Sequence, residues 1–219
     1  MFKLRPTNPE LEKVTKFTVK KKASYLRSHF KSLENTFQEK SASLWQEIEL
    51  EDKRTENHDD DSQYDYSASE SLKEIEHIYL RMHRYSAILA TYSYLESSMN
   101  KLCEELKKEM KIKISVDDLN GDGIHRCKKY LTLLANVDFE KINPQWSHLA
   151  TLNKLRNCIM HADGNAELVR DSEKFITQIK SNRDMYFVEQ NMVMVSNDFV
   201  CQSIDNIEIA LIHIIGYGK

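Results

Sequence analysis

Five glycines and three prolines are spread through 219 residues, and this scarcity of breakers constrains the fold more than any other feature. A chain so poor in turn-formers cannot make the many tight reversals of an all-β domain, so long helices must carry most of it. Hydrophobic residues at 41% and charged residues at 30% suit helices with one buried and one solvated face. The expected fold class is all-α: a helical bundle with a long N-terminal helical extension and one short β-hairpin near the C-terminus.

Apolar spacing locates the elements. Tyr25, Phe30, Leu33, Phe37, Leu44 and Ile48 recur at helical intervals and predict a helix over Ala23–Leu50. Residues 51–61 are strongly acidic and a Ser/Tyr-rich run follows, which reads as an exposed loop separating this helix from the rest. Leu72, Ile75, Ile78, Tyr79, Met82, Tyr85, Leu89, Tyr92, Leu95, Met99, Leu102 and Leu106 continue a helical period to Met110, with a kink expected near Ala90–Ser93. Further helices are expected over Ile124–Asn136, from Pro144 to His161 with Gly164 as its stop, over Glu167–Lys180, and over Asp198–Ile215. Met185–Glu189 and Met192–Val195 read as a hairpin around Gln190-Asn191.

The formal net charge of −3 tells against a simple polycationic nucleic-acid binder, although local basic patches set the local field. Cys103, Cys127, Cys158 and Cys201 are far apart in sequence with no C-x-x-C pair, so reduced thiols in a cytoplasmic protein are expected rather than a disulfide framework or zinc site. The N-terminus has no apolar signal core, and no uninterrupted apolar run approaches the roughly 18 residues of a membrane span. No membrane attachment and no cofactor are expected.

Asp118, Asn120, Asp122 and Gly123 match the start of an EF-hand loop, but Lys129 stands where calcium needs a bidentate carboxylate; no metal site is expected here. His77 and His83 lie on different faces of their helix and form no metal-binding pattern. Phosphate-loop, dinucleotide-binding and nucleophile-elbow motifs are absent, as is a paired-carboxylate motif for divalent metals. That last absence removes most metal-dependent nuclease mechanisms.

What remains is Leu152–Gly164. Asn157 and His161 are four apart on one helix face, and the long fork of Arg156 reaches the same region. Together they offer a phosphate clamp, a neutral orienting group and a titrating imidazole. An Arg and a His near a helix C-terminus also have a plain structural use, since both interact well with its dipole and free carbonyls.

At these residues the chain resembles the HEPN superfamily (higher eukaryotes and prokaryotes nucleotide-binding). Its ribonuclease members carry an Arg, a gap of four to six residues and a His, often with a polar residue directly after the Arg. Here Arg156 and His161 have four residues between them and Asn157 is the polar follower. Tyr92–Asn100 resembles the long helix of bacterial members, and Asp118–Leu131 resembles their connector. The resemblance spans roughly residues 72–216, which divides the chain into a charged helical extension with its acidic loop (1–70) and a HEPN-like helical domain (71–219).

The resemblance implies a bundle that dimerises, with two Arg/His motifs meeting at the two-fold. Cleaving RNA without a metal needs a base for the 2′-hydroxyl and an acid for the leaving 5′-oxygen, and two copies of His161 can divide that work. Arg156 would stabilise the developing phosphate charge, Asn157 would orient His161 or the phosphate, and Glu96 would pair with Arg156 or fix the imidazole. Lys107, Lys108, Lys111 and Lys113, or Arg126, Lys128 and Lys129, are candidates for RNA contact; such charge runs also serve as ordinary solvated faces. The expected function is a metal-independent endoribonuclease, a toxin or anti-phage effector, with a cognate antitoxin or regulatory protein as a further partner. Two alternatives stand beside it: a non-catalytic HEPN module binding RNA, a nucleotide or a partner protein, and a helical adaptor using residues 23–50 as a coiled-coil arm.

Overall fold

In the computed structural model, residues 9–55, 67–180 and 183–217 are described. The chain forms helix α1 (Pro9–Thr55), α2 (Ser67–Lys73), a π-helical segment (Glu74–Tyr79), α3 (Leu80–Glu109), α4 (Gly123–Ala135), α5 (Asn143–Ala162), α6 (Ser172–Lys180), strands β1 (Tyr186–Glu189) and β2 (Met192–Val195), and α7 (Asn197–Gly216). Short 3-10 turns at Val116–Asp118 and Glu140–Ile142 join the helices. The all-α expectation holds, with the one hairpin near the C-terminus.

Helix α7 is the hub. Ile204, Ile207, Leu211, Ile214 and Ile215 are buried on it, and it packs against α1, α5 and α3. Its length and apolar content would also suit a membrane span, but in this fold its apolar side chains form part of the core. Ser196 starts it as a capping residue, its hydroxyl oxygen accepting from the Phe199 N–H at 3.1 Å.

Helix α1 is longer than the spacing predicts, and its inward face is the expected one only in part: Phe30 is buried and Phe37, Leu44 and Ile48 are half-buried. Val19, Ala23 and Phe30 enter the same core as the rest of the molecule, whereas Tyr25 and Leu33 are exposed. The reason is polar: Glu34 and Ser41 are buried on the core-facing side and interrupt the apolar pattern that marks such a face. Glu34 pairs with Arg84 and lies 3.7 Å from His83 Nε2; His83 in turn stacks on Phe30 at 4.9 Å. Arg84 also donates to the Val195 carbonyl at 3.0 Å, so one buried charge cluster ties α1, α3 and β2 together. Of the expected acidic loop, 51–55 continue α1 and 56–61 lie outside the described residues.

The kink or break expected near Ala90–Ser93 leaves no interruption in the helix. α3 is unbroken there, and the departure from α geometry falls earlier, at Glu74–Tyr79. Buried positions step by five from Ile75 to Leu80, a stride that fits the wider π turn. Ile78, Tyr79 and Met82, expected on the core stripe, are therefore turned outward. Helix α6 starts at Ser172 rather than Glu167. The hairpin follows the sequence closely: Gln190 and Asn191 both take positive φ, 47° and 66°, as a type I′ turn requires.

Candidate functional site

Helix α5 is held by Trp146, Leu149, Leu152, Leu155, Cys158, Ile159 and Ala162, all buried. The residues left on its outer side near the C-terminal end are the half-buried Arg156 and the exposed Asn157, Met160 and His161. The helix ends at Asp163, in the left-handed region at φ 50°, and Gly164 follows at φ 79°. The Gly164 N–H closes the end by donating to the Cys158 carbonyl at 3.2 Å.

Gly164 has a second reason to be glycine. A Cβ there would stand 2.1 Å from the Tyr85 hydroxyl. That hydroxyl donates to the Val193 carbonyl at 2.6 Å, and the Val193 N–H donates to the Gly164 carbonyl at 2.9 Å. The Ala166 N–H reaches the Asn191 carbonyl at 2.8 Å. The hairpin and Tyr85 thus clamp the loop that closes the motif helix.

Arg156 is positioned from two sides. Its guanidinium lies over the Tyr92 ring, 5.0 Å from the centroid, and its Nη1 donates to Asn157 Oδ1 at 2.8 Å. The Asn157 amide is therefore engaged with Arg156 and makes no hydrogen bond to His161. The imidazole of His161 forms no hydrogen bond, ion pair or ring contact with another described residue, and the residue is exposed.

Glu96 serves a different place from the one expected. No ion pair joins it to Arg156 among the described residues. Its carboxylate instead points at the start of α4, where a Cβ on Gly123 would meet Glu96 Oε1 at 2.7 Å and the Tyr92 hydroxyl at 2.9 Å. A carboxylate suits a helix N-terminus, where the unpaired N–H groups concentrate positive charge. Burial and then the Glu96 charge push the Tyr92 phenol above its ordinary range, against a backbone hydrogen bond from Ile124 and the charge of Arg156. Tyr92 links the two: its face carries Arg156 and its hydroxyl meets α4.

The other candidates separate into committed and open side chains. Arg126 pairs with Asp117 at 2.9 Å, and Lys128 sits over Trp146 and Phe139 at 4.8 and 5.2 Å; both have structural work. Lys108, Lys111, Lys113 and Lys129 are exposed and Lys107 is half-buried. Lys107 lies roughly 16 Å along α3 from Glu96, by the rise of a helix. In the EF-hand-like stretch, Asp118 Oδ2 accepts from the Ser115 N–H at 2.7 Å and so serves a 3-10 turn.

Three basic residues outside these expectations lie closer to the motif. Lys154, Arg170 and Lys174 line a cleft of about 310 Å³ whose wall includes Asn157. Lys154 stands three places before Asn157 on α5, which was the available signal; Arg170 and Lys174 are brought in only by the tertiary fold. A Ser–His contact also emerges, His148 Nε2 to Ser203 Oγ at 2.8 Å. It is unsuited to nucleophilic catalysis. Ser203 is fully buried and its hydroxyl donates to the Phe199 carbonyl at 2.8 Å, so the imidazole faces the oxygen without accepting its proton.

No family model matches this chain, and no curated protein or solved structure matches it.

Proposed function

We propose that the protein is a metal-independent endoribonuclease of the HEPN type, working through a composite site in a homodimer. The observation that carries this reading is the contrast within one helix end: Arg156 is held by Tyr92 and Asn157, while His161 beside it is exposed and unpartnered among the described residues. A fixed cation and a free imidazole are what phosphodiester cleavage by a neighbouring 2′-hydroxyl requires.

In the mechanism, one His161 takes the 2′-hydroxyl proton and its oxygen attacks phosphorus. The His161 of a second copy protonates the departing 5′-oxygen, leaving a 2′,3′-cyclic phosphate. Arg156 stabilises the charge on the phosphate oxygens, its planar fork suited to two of them at once. Asn157 fixes that fork. Two copies are needed because a single imidazole cannot be base and acid at the same moment. The exposed Met160, at 52%, supports such a pairing by placing an apolar side chain next to the motif. The biological role that goes with this reading is a cytoplasmic toxin or anti-phage effector restrained by an antitoxin or regulatory protein, and it rests on the family resemblance.

The test is incubation of the purified protein with single-stranded RNA in EDTA, with analysis of the product ends. Cleavage leaving 2′,3′-cyclic phosphates, absent from a substrate carrying 2′-deoxy at the cut position, is the expected result. His161→Ala should remove cutting while sedimentation still shows a dimer; cleavage that survives this substitution would sink the mechanism.

A further inference from the structure

The cleft beside Asn157 continues along the molecule. A second hollow of about 240 Å³, lined by Thr151, Lys154, Leu155, Phe175, Gln178, Ile179 and Tyr186, shares Lys154, Phe175 and Gln178 with the first. The two form one groove between α5 and α6, starting at the motif. Leu155 and Phe175 lie beneath it, buried in the core. Its rim is cationic, with Lys154, Arg170 and Lys174 against the single acid Asp171. Three cations around one hollow is a marked local excess in a chain of net charge −3, and local fields follow such clusters rather than the sum.

These cations are not consumed internally. Lys154 Nζ donates to Gln178 Oε1 at 2.8 Å, a neutral acceptor that leaves its charge uncompensated and holds the ammonium across the groove. Arg170 and Lys174 have no hydrogen-bond or ion-pair partner among the described residues. Asn157 belongs to both places: its Oδ1 receives Arg156, and the same side chain lines the cleft.

We infer that the α5–α6 groove is a subsite for single-stranded RNA, in which Lys154, Arg170 and Lys174 hold the phosphates next to the scissile one. This rests on the ribonuclease reading and supplies its substrate path. A groove rimmed by cations and continuous with the motif is the arrangement that tracks the backbone of a single strand. Two adjoining hollows are a poor match to a duplex, which is recognised by contacts spread across its successive grooves.

The test uses a short fluorescein-labelled oligouridylate and the full chain carrying His161→Ala, so that binding is read without cutting. Adding Arg170→Ala and Lys174→Ala should weaken binding about tenfold, the order for lost charge-assisted contacts. The slope of log affinity against log salt should fall by roughly 1.4, about 0.7 for each phosphate contact on a single strand. In protein with His161 intact, the same pair should raise KM about tenfold and leave kcat unchanged. Lys20→Ala with Lys22→Ala, on the exposed side of α1, removes equal charge elsewhere and should leave affinity within about twofold.

Equal loss from both pairs would reduce the effect to net charge and overturn the subsite. So would unchanged affinity in the groove variant, or an oligoglutamate of matched charge binding as tightly as the RNA. The two readings separate cleanly. RNA cut with normal KM by the groove variant would remove the subsite and spare the ribonuclease; groove-dependent RNA binding by a protein that never cuts would do the reverse.

Discussion

Two histidines stand at opposite ends of α5 with opposite surroundings. His148 is bonded to the buried Ser203, stacks on Phe199 at 4.5 Å, and is pushed down to about 4 by burial. His161 is exposed at the other end, beside an arginine that is already positioned. The same side chain on the same helix is thus a packing element in one place and an available acid–base group in the other. What decides the role is the inventory of partners: a ring whose nitrogen is occupied and whose face is covered has nothing left for a substrate.

The largest effect that would sharpen this contrast lies at the open end. Arg156→Ala should lower RNA cleavage roughly 100- to 1,000-fold, the order for losing a positioned donor to transition-state charge, with little change in Tm. Single-turnover rates beside thermal melts check it; a large Tm loss would move Arg156 into the structural group with His148.

The buried charge cluster should behave in the opposite way. Arg84→Met leaves the fully buried Glu34 without its cation and should cost about 3–5 kcal/mol in denaturant unfolding, with cleavage per folded molecule unchanged. A cost near zero would mean that Glu34 does not depend on Arg84, and the division between closed and open polar regions would blur.

Gly164→Ala should cost about 1–3 kcal/mol, since the added Cβ meets Tyr85 at positive φ. Because that loop closes α5, cleavage should fall with it. Gly121→Ala, where the nearest atom to the added Cβ is 3.7 Å away, carries backbone strain at φ 121° without any such clash.

The smallest effect is a slope. His148 titrates below its ordinary 6.5 in the folded chain, so folding favours its neutral form. Its contribution to stability is complete above about pH 6.5 and is lost as pH falls from there through about 4. Burial lowers His83 and His125 as well, adding in the same direction. His148→Leu should flatten the fall of Tm between these limits; an unchanged slope would assign the titration to the other two.

Much of this was legible in sequence where apolar spacing is regular. Helices α4, α5 and α7 and the hairpin follow directly from period and turn residues, and Arg156, Asn157 and His161 emerge on one exposed helix end. The face of α1 was legible only in part, through Phe30, Phe37, Leu44 and Ile48, because Glu34 and Ser41 are buried among apolar neighbours and spacing arguments treat a carboxylate as outward-facing. The π segment was hidden because a five-residue step between Ile75 and Leu80 looks like a gap when exposed Ile78 and Tyr79 fill it. At the site, the face of Tyr92 beneath Arg156 and the groove cations Arg170 and Lys174 depend on tertiary neighbours that no local pattern encodes. Glu96 was read as a partner of the motif from the family resemblance alone; its carboxylate turns to α4 instead.

The most direct measurement is the rate of single-stranded RNA cleavage in EDTA for the two histidine variants side by side, each at a temperature where it is folded. His161→Ala should lose at least about 100-fold, within the range for removing a general acid or base, while keeping the wild-type Tm. His148→Leu should keep the wild-type rate while its Tm shifts. Cleavage that persists in His161→Ala, or that disappears in folded His148→Leu, would contradict the assignment of the open end of α5 as the site of chemistry.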